Sequence, residues 1–125
     1  MKFLTLIGKF VSAEMLSTWS GVPTFEVSYN AEKEKLQIDT TVPENMWLGI
    51  SYKYSMNSAD SVIFQGQNDG DVKDLWSTGY GMPSTDDSQD YEVVSSALKD
   101  GVYTIQVLRA LDTGDSSQDM VIQCG

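Results

Sequence analysis

The chain has 125 residues, 41% hydrophobic and 21% charged, which fits one globular domain and excludes a disordered or fibrous segment. Eighteen acidic side chains against eight basic ones give a net charge of −10, which excludes binding to the phosphate backbone of nucleic acids. The chain has no histidine and one cysteine, Cys124, so it offers neither histidine-dependent catalysis nor an intrachain disulfide.

The first 22 residues allow two interpretations. Met1 to Gly8 has the apolar character of a secretory signal, and small residues around Ser12 and Ala13 suit signal-peptide cleavage, although Lys9 shortens the apolar stretch. The alternative is an N-terminal strand or arm that packs its apolar residues onto a neighbouring surface. No apolar run reaches the ~20 residues of a transmembrane helix, so we predict no membrane span in this chain.

From residue 23 onward, alternation of apolar and polar residues predicts strands. We place them at Thr24–Tyr29, Leu36–Val42, Trp47–Tyr52, Ser61–Gln65, Val72–Trp76, Tyr91–Val94, Val102–Leu108 and Met120–Ile122. Turn residues recur every 8–12 positions, which is typical of an antiparallel sandwich. The sequence therefore predicts an all-β sandwich of about eight or nine strands over residues 23–125, and its strand-like end suggests truncation at the C-terminus.

Two segments between the predicted strands have other interpretations. Ser95–Asp100, followed by Gly101, is the one stretch that suggests a short helical turn. Ser77–Asp90 is polar and contains two glycines and a proline, so it is predicted to be a long loop.

Alternation also predicts the core and the role of the single arginine. The residues expected to share the interior of two packed sheets are Phe25, Ile38, Trp47, Ile50, Val62, Phe64, Tyr103, Ile105 and Val107. Arg109 is expected to pair with a carboxylate such as Asp60 or Asp112 and so to hold a corner of the fold.

Aspartates concentrate in two places, at Asp69, Asp71 and Asp74 and at Asp86, Asp87 and Asp90. Calcium takes six to eight oxygen ligands, but this spacing fits no EF-hand loop. Because aspartate favours turns through local backbone hydrogen bonds, we predict solvated turns and no metal site. No acid, base or nucleophile set is evident, so the chain is not expected to be an enzyme by itself.

The middle of the chain resembles the DOMON family. The resemblance lies in Trp47–Ser51 and Met56–Phe64, then in Val72–Gly79, and finally in Val102–Asp115, with its Arg-x-Leu-x-Thr-Gly-Asp ending. It spans about residues 23–122. It implies an immunoglobulin-like sandwich, secreted or membrane-associated on the non-cytoplasmic side, that binds haem b or sugars and often transfers electrons beside a redox partner.

The resemblance also implies ligand residues. In haem-binding members a methionine of the loop after the Gly-Ile strand and a late histidine hold the iron. Met56 matches that methionine, but no histidine matches the second position. A relative in the superfamily uses lysine there, and Lys99 is the late lysine of this chain. Tyr80 and Met82, between glycines and Pro83, are predicted to line a pocket at the end of the sandwich or to form a loop tip.

Three functions follow as hypotheses. The first is a haem b electron-transfer domain. The second is a haem-free module that recognises carbohydrate or another extracellular ligand through aromatic residues and nearby Asp and Asn. The third is a structural subunit whose acidic faces and N-terminal arm bind a protein partner in a homo- or hetero-oligomeric assembly.

Overall fold

The computed structural model describes residues 2–5, 22–52, 57–79, 81 and 83–122. These residues form nine strands: β1 (Lys2–Thr5), β2 (Thr24–Asn30), β3 (Lys35–Pro43), β4 (Trp47–Ser51), β5 (Asn57–Gln65), β6 (Asp71–Thr78), β7 (Ser84–Thr85), β8 (Tyr91–Lys99) and β9 (Val102–Ala110). Within this part of the chain, no helix has the length and apolar character needed to cross a membrane.

The strands form two sheets. One has five strands in the order β1-β4-β5-β6-β7, and the other has four in the order β2-β3-β9-β8. Every pairing is antiparallel except that of β1 with β4, which is parallel. The predicted all-β, antiparallel sandwich is therefore confirmed.

The alternation of inward and outward side chains along the strands determines which residues form the core. Every second residue of β3, from Leu36 to Val42, is buried, and the same period repeats in β2 and β9. The inward side chains of the two sheets pack into one cluster. Eight of the nine predicted core residues are buried, and Trp47 is half-buried.

Two predicted elements are wrong. Ser95–Asp100 is no helical turn, because β8 continues through Lys99 and pairs with β9. Asp100 and Gly101 have φ angles of 52° and 76°, so they form the two-residue hairpin loop that Asp-Gly favours. Met120–Ile122 is not a strand, because the Met120 amide donates to a carboxylate instead of to a neighbouring strand. The predicted loop Ser77–Asp90 also contains strand residues, namely the end of β6 and all of β7.

The strand directions define two ends of the sandwich. At the arginine end, β4 stops at Ser51, β5 starts at Asn57, β6 stops at Thr78 and β9 stops just after Arg109. At the hairpin end, the Asp100-Gly101 loop faces the turn after β3, where the Glu44 amide donates to the Gly101 carbonyl at 2.9 Å. Most of the polar interior lies at the arginine end.

Candidate functional site

The predicted site residues Met56, Tyr80 and Met82 lie outside the described residues. The described residues that flank them lie at the arginine end, since Ser51 and Asn57 pair with Ser61 and Thr78, and Ser84 pairs with Trp76. Both connections that contain these candidates therefore start and finish at the arginine end.

Lys99 lies elsewhere. It is the last residue of β8, it is exposed, and it pairs with Val102 beside the Asp100-Gly101 loop. This position is at the hairpin end, so the described structure does not bring Lys99 towards the chain ends that flank Met56. The prediction that Lys99 is a ligand receives no support from this placement.

The arginine end is organised around a buried ion pair. Arg109 continues the inward row of β9, and its Nη2 donates to Asp60 Oδ2 at 2.7 Å across the interface between the sheets. The same nitrogen donates to the Met120 carbonyl at 3.1 Å, and the Met120 amide donates to Asp60 Oδ2 at 2.9 Å. The predicted Arg109–Asp60 pair is confirmed, whereas Asp112 accepts the Gly114 amide instead.

Two tyrosines enclose this guanidinium. The hydroxyl groups of Tyr52 and Tyr91 lie 2.5 Å apart, and Arg109 Cζ lies 5.4 Å and 5.9 Å from their ring centroids, within cation–π distance. Burial raises the pKa of both tyrosines well above the usual value, so both remain neutral phenols. Arg109 Nη2 also lies 3.7 Å from Asp119 Oδ2, so two carboxylates and two aromatic faces hold Arg109 in place.

Three carboxylates from distant parts of the chain meet beside the ion pair. They are Asp60 of β5, Asp74 of β6 and Asp119 of the segment after β9, and one oxygen of each lies within 4.8 Å of the others. Asp60 and Asp74 are fully buried, and the Asp119 side chain is 2% exposed. We call these three residues the aspartate cluster.

Burial raises the pKa of all three carboxyl groups. The pKa of Asp74 rises to about 8 through burial and through the neighbouring charge of Asp119. Burial and the charge of Asp60 raise the pKa of Asp119 to about 7. Burial raises the pKa of Asp60 to about 6, and Arg109 offsets part of that rise. A negative charge on any of these three carboxyl groups therefore carries an energetic cost.

In each carboxylate of the cluster, one oxygen accepts a hydrogen bond and the other has no partner among the described residues. Asp60 Oδ2 accepts Arg109 and Met120, Asp74 Oδ2 accepts the Asp90 amide at 3.2 Å, and Asp119 Oδ2 accepts the Thr113 hydroxyl. The Oδ1 atom of each has no hydrogen-bond partner among the described residues. One oxygen of each carboxyl group is therefore buried and accepts no hydrogen bond from the described residues.

Solvated turns were predicted for the aspartates of two segments, residues 69–74 and residues 86–90, and this prediction is only partly right. Asp69 is exposed in a turn, but Asp74 and Asp86 are buried. A signal for burial was present, since Asp60 occupies the alternation position of Val62 and Phe64, which are core residues.

One comparison with known proteins gives a match. The family model described as the DOMON domain matches residues 22–125, which is most of the chain. No curated protein matches the sequence.

Proposed function

Because the chain belongs to the DOMON domain family, we propose that it is a ligand-binding module that works outside the cytoplasm. The family match over residues 22–125 is the observation that carries this proposal. Members of this family bind ligands rather than catalyse reactions, so the role proposed for this chain is recognition or electron transfer beside a partner.

We place the ligand at the arginine end. Two connections begin and finish there, Ser51 to Asn57 and Thr78 to Ser84, and they contain Met56, Tyr80 and Met82. Binding residues concentrate in loops that a rigid scaffold positions, and here the two connections leave the same sheet at the same end. This arrangement supports a single site formed by both connections.

The ligand that we propose is haem b. The donor set at the arginine end suits it in part, because Met56 and Met82 both offer soft thioethers in the two connections, while the chain has no histidine. Bound haem supplies one-electron chemistry, and a methionine ligand raises its reduction potential. Met56 would hold the iron, and Tyr80 and Met82 would line the site, whereas Lys99, at the hairpin end, is not part of this proposal.

Replacing Met56 with leucine keeps the volume and removes the sulfur, so Met56→Leu is expected to weaken haem binding by about tenfold or more. The measurement is a titration of haem into the 125-residue chain, followed by the Soret band and a pyridine hemochrome assay. Met46→Leu is the matched control, because Met46 packs against the core beside β4 at the hairpin end. Equal binding by the parent and Met56→Leu, or no binding by either, would contradict the haem proposal.

A carbohydrate ligand is the second candidate, favoured by a hydrogen-bonded row on the outer face of the four-stranded sheet. Asn30 Nδ2 donates to Gln37 Oε1 at 2.9 Å, and Gln37 Nε2 donates to Asp39 Oδ2 at 2.7 Å. Gln106 Nε2 donates to Asp39 Oδ1 at 2.7 Å. Amides and carboxylates held in this way present oriented donors and acceptors to sugar hydroxyl groups.

If this row binds sugar, Asp39→Ala is expected to abolish glycan-array binding, because it releases both amides that Asp39 orients. Stability should change by less than about 1 kcal/mol, because the row is on the solvent-facing side of the sheet. Glu32→Ala, in the exposed turn after β2, is the control. Glycan binding that survives Asp39→Ala would remove the row as the site.

A further inference from the structure

The interior of the arginine end holds more carboxyl groups than its one arginine can pair with. Besides the aspartate cluster, Asp86 is buried, and Asp90 lies against the carboxyl group of Asp119. Arg109 is the one cationic side chain that the described structure places against these carboxylates. Buried carboxylates without partners are costly, and proteins keep them paired or bound to a metal.

Asp86 adds an observation that is independent of the cluster. Its amide donates to the Asp74 carbonyl at 3.0 Å, and Gln89 Nε2 bridges the Asp74 and Asp86 carbonyls at 3.0 Å each. Asp86 Oδ1 accepts the Ser88 amide, while Oδ2 is buried and has no partner within the described chain. The backbone hydrogen bond to Asp74 and the effect of the Asp86 charge on the pKa of Asp60 and Asp74 show that Asp86 lies next to the aspartate cluster.

We propose that Asp60, Asp74 and Asp119 bind a calcium ion through their free Oδ1 atoms, with Asp86 and Asp90 as further carboxylates around the site. The ion would balance the charge that Arg109 leaves. It would also join β5 and β6 to the segment after β9. Arg109 would keep its place, because it holds the opposite oxygen of Asp60.

The chemistry of the site favours calcium over magnesium. Calcium binds six to eight oxygens at about 2.3–2.6 Å, so oxygens on opposite sides of the ion are about 5 Å apart, and the 4.8 Å limit of the cluster lies within that span. Magnesium prefers a tight octahedron that retains several waters, which a buried cluster of three carboxylates does not suit. Carboxylate oxygens are also poor ligands for soft metals.

The first test is thermal unfolding of the full chain in EDTA, in 2 mM CaCl₂ and in 2 mM MgCl₂. Calcium is expected to raise Tm by about 5 °C or more, because a ligand that binds only the folded state stabilises it. Magnesium should give less than half of that rise. Terbium is a second probe, because Tyr52 and Tyr91 adjoin the ion pair and should sensitise its luminescence, which calcium then quenches by competition.

Asp74→Asn is the decisive variant. The amide oxygen can still accept the Asp90 amide, but the side chain can no longer ionise to bind calcium, so Tm in EDTA should be at least that of the parent while the calcium-dependent rise falls below one third of that of the parent. Asp69→Asn is the matched control, because Asp69 is exposed with φ of 64°, a conformation that asparagine tolerates well. It should respond to calcium as the parent does. Asp119→Asn repeats the test from the other side of the site.

The proposal is overturned if the parent shows neither a calcium-dependent Tm rise nor calcium-competed terbium luminescence. It is also overturned if Asp74→Asn and Asp119→Asn both keep the full calcium response. Should one variant fail to fold, the other variant and terbium binding by the parent still decide. Neither Tm nor terbium luminescence depends on haem, so these measurements test the calcium site independently of the proposed haem ligand.

Discussion

Arg109→Met is expected to unfold the domain at neutral pH or to lower its free energy of unfolding by about 3–5 kcal/mol. The thioether chain keeps much of the volume, but the change leaves Asp60 buried without its cation and removes one contact of Asp119 and of the Met120 carbonyl. Since domains of this size are stable by only about 5–15 kcal/mol, the loss is a large share of the total.

Urea unfolding, monitored by tryptophan fluorescence, measures this loss of unfolding free energy. EDTA is included so that no bound metal ion replaces the positive charge of Arg109. Lys73→Met is the matched control, because the ion pair of Lys73 with Asp71 is exposed and should contribute less than about 1 kcal/mol. Adding Asp60→Asn to Arg109→Met should restore part of the stability, because it removes the unbalanced charge. An unfolding midpoint of Arg109→Met equal to that of the parent would contradict the role given to this ion pair.

Ile105→Asp is expected to abolish folding. Ile105 has no exposed surface, lies in the middle of β9, and pairs with Thr40 of β3 and Ser96 of β8. The substitution removes an apolar side chain worth about 2–5 kcal/mol and places a carboxylate in the apolar core. The circular dichroism spectrum should lose its strand signal.

Thr104→Asp is the control for Ile105→Asp, because the neighbouring side chain is exposed on the outer face of the same strand. It should fold and unfold within about 0.5 kcal/mol of the parent. A soluble Ile105→Asp chain with parent-like circular dichroism would mean that β9 does not form the shared core.

The parts of the fold that sequence patterns predicted are those in which local and global preferences agree. Residues such as Ile38 and Ile105 alternate with polar neighbours, and burial of one face is the only stable outcome for such a strand. The helical turn predicted for Ser95–Asp100 was wrong because local and global preferences disagree in this segment. Its serines and alanine carry little strand preference, and the pairing of eight residues of β8 with β9 decides the conformation. The Asp-Gly pair was the better signal.

The aspartate cluster could not be predicted from proximity in the sequence. Asp60, Asp74 and Asp119 come from two paired strands and a distant segment, and only the sandwich brings them together. Closeness in the sequence instead put Asp69 and Asp74 into one group, although Asp69 is exposed and Asp74 is buried. The partner of Arg109 was easier to predict, because a single buried arginine in an acidic chain pairs with a carboxylate. Its inward position on β9 places it against Asp60.

The dependence of Asp60 on Met120 has a consequence for how the chain folds during its synthesis. The Met120 amide caps a carboxylate 60 residues earlier, and Ile122 fills the core while its amide bonds to the Leu111 carbonyl. Strands β2 to β6 emerge from the ribosome long before those partners exist, so the nascent sheets hold an open, uncapped end. These contacts of Met120 and Ile122 can therefore form only after residue 122 has been made, and the 60 residues between Asp60 and Met120 place their contact among the long-range ones that slow folding.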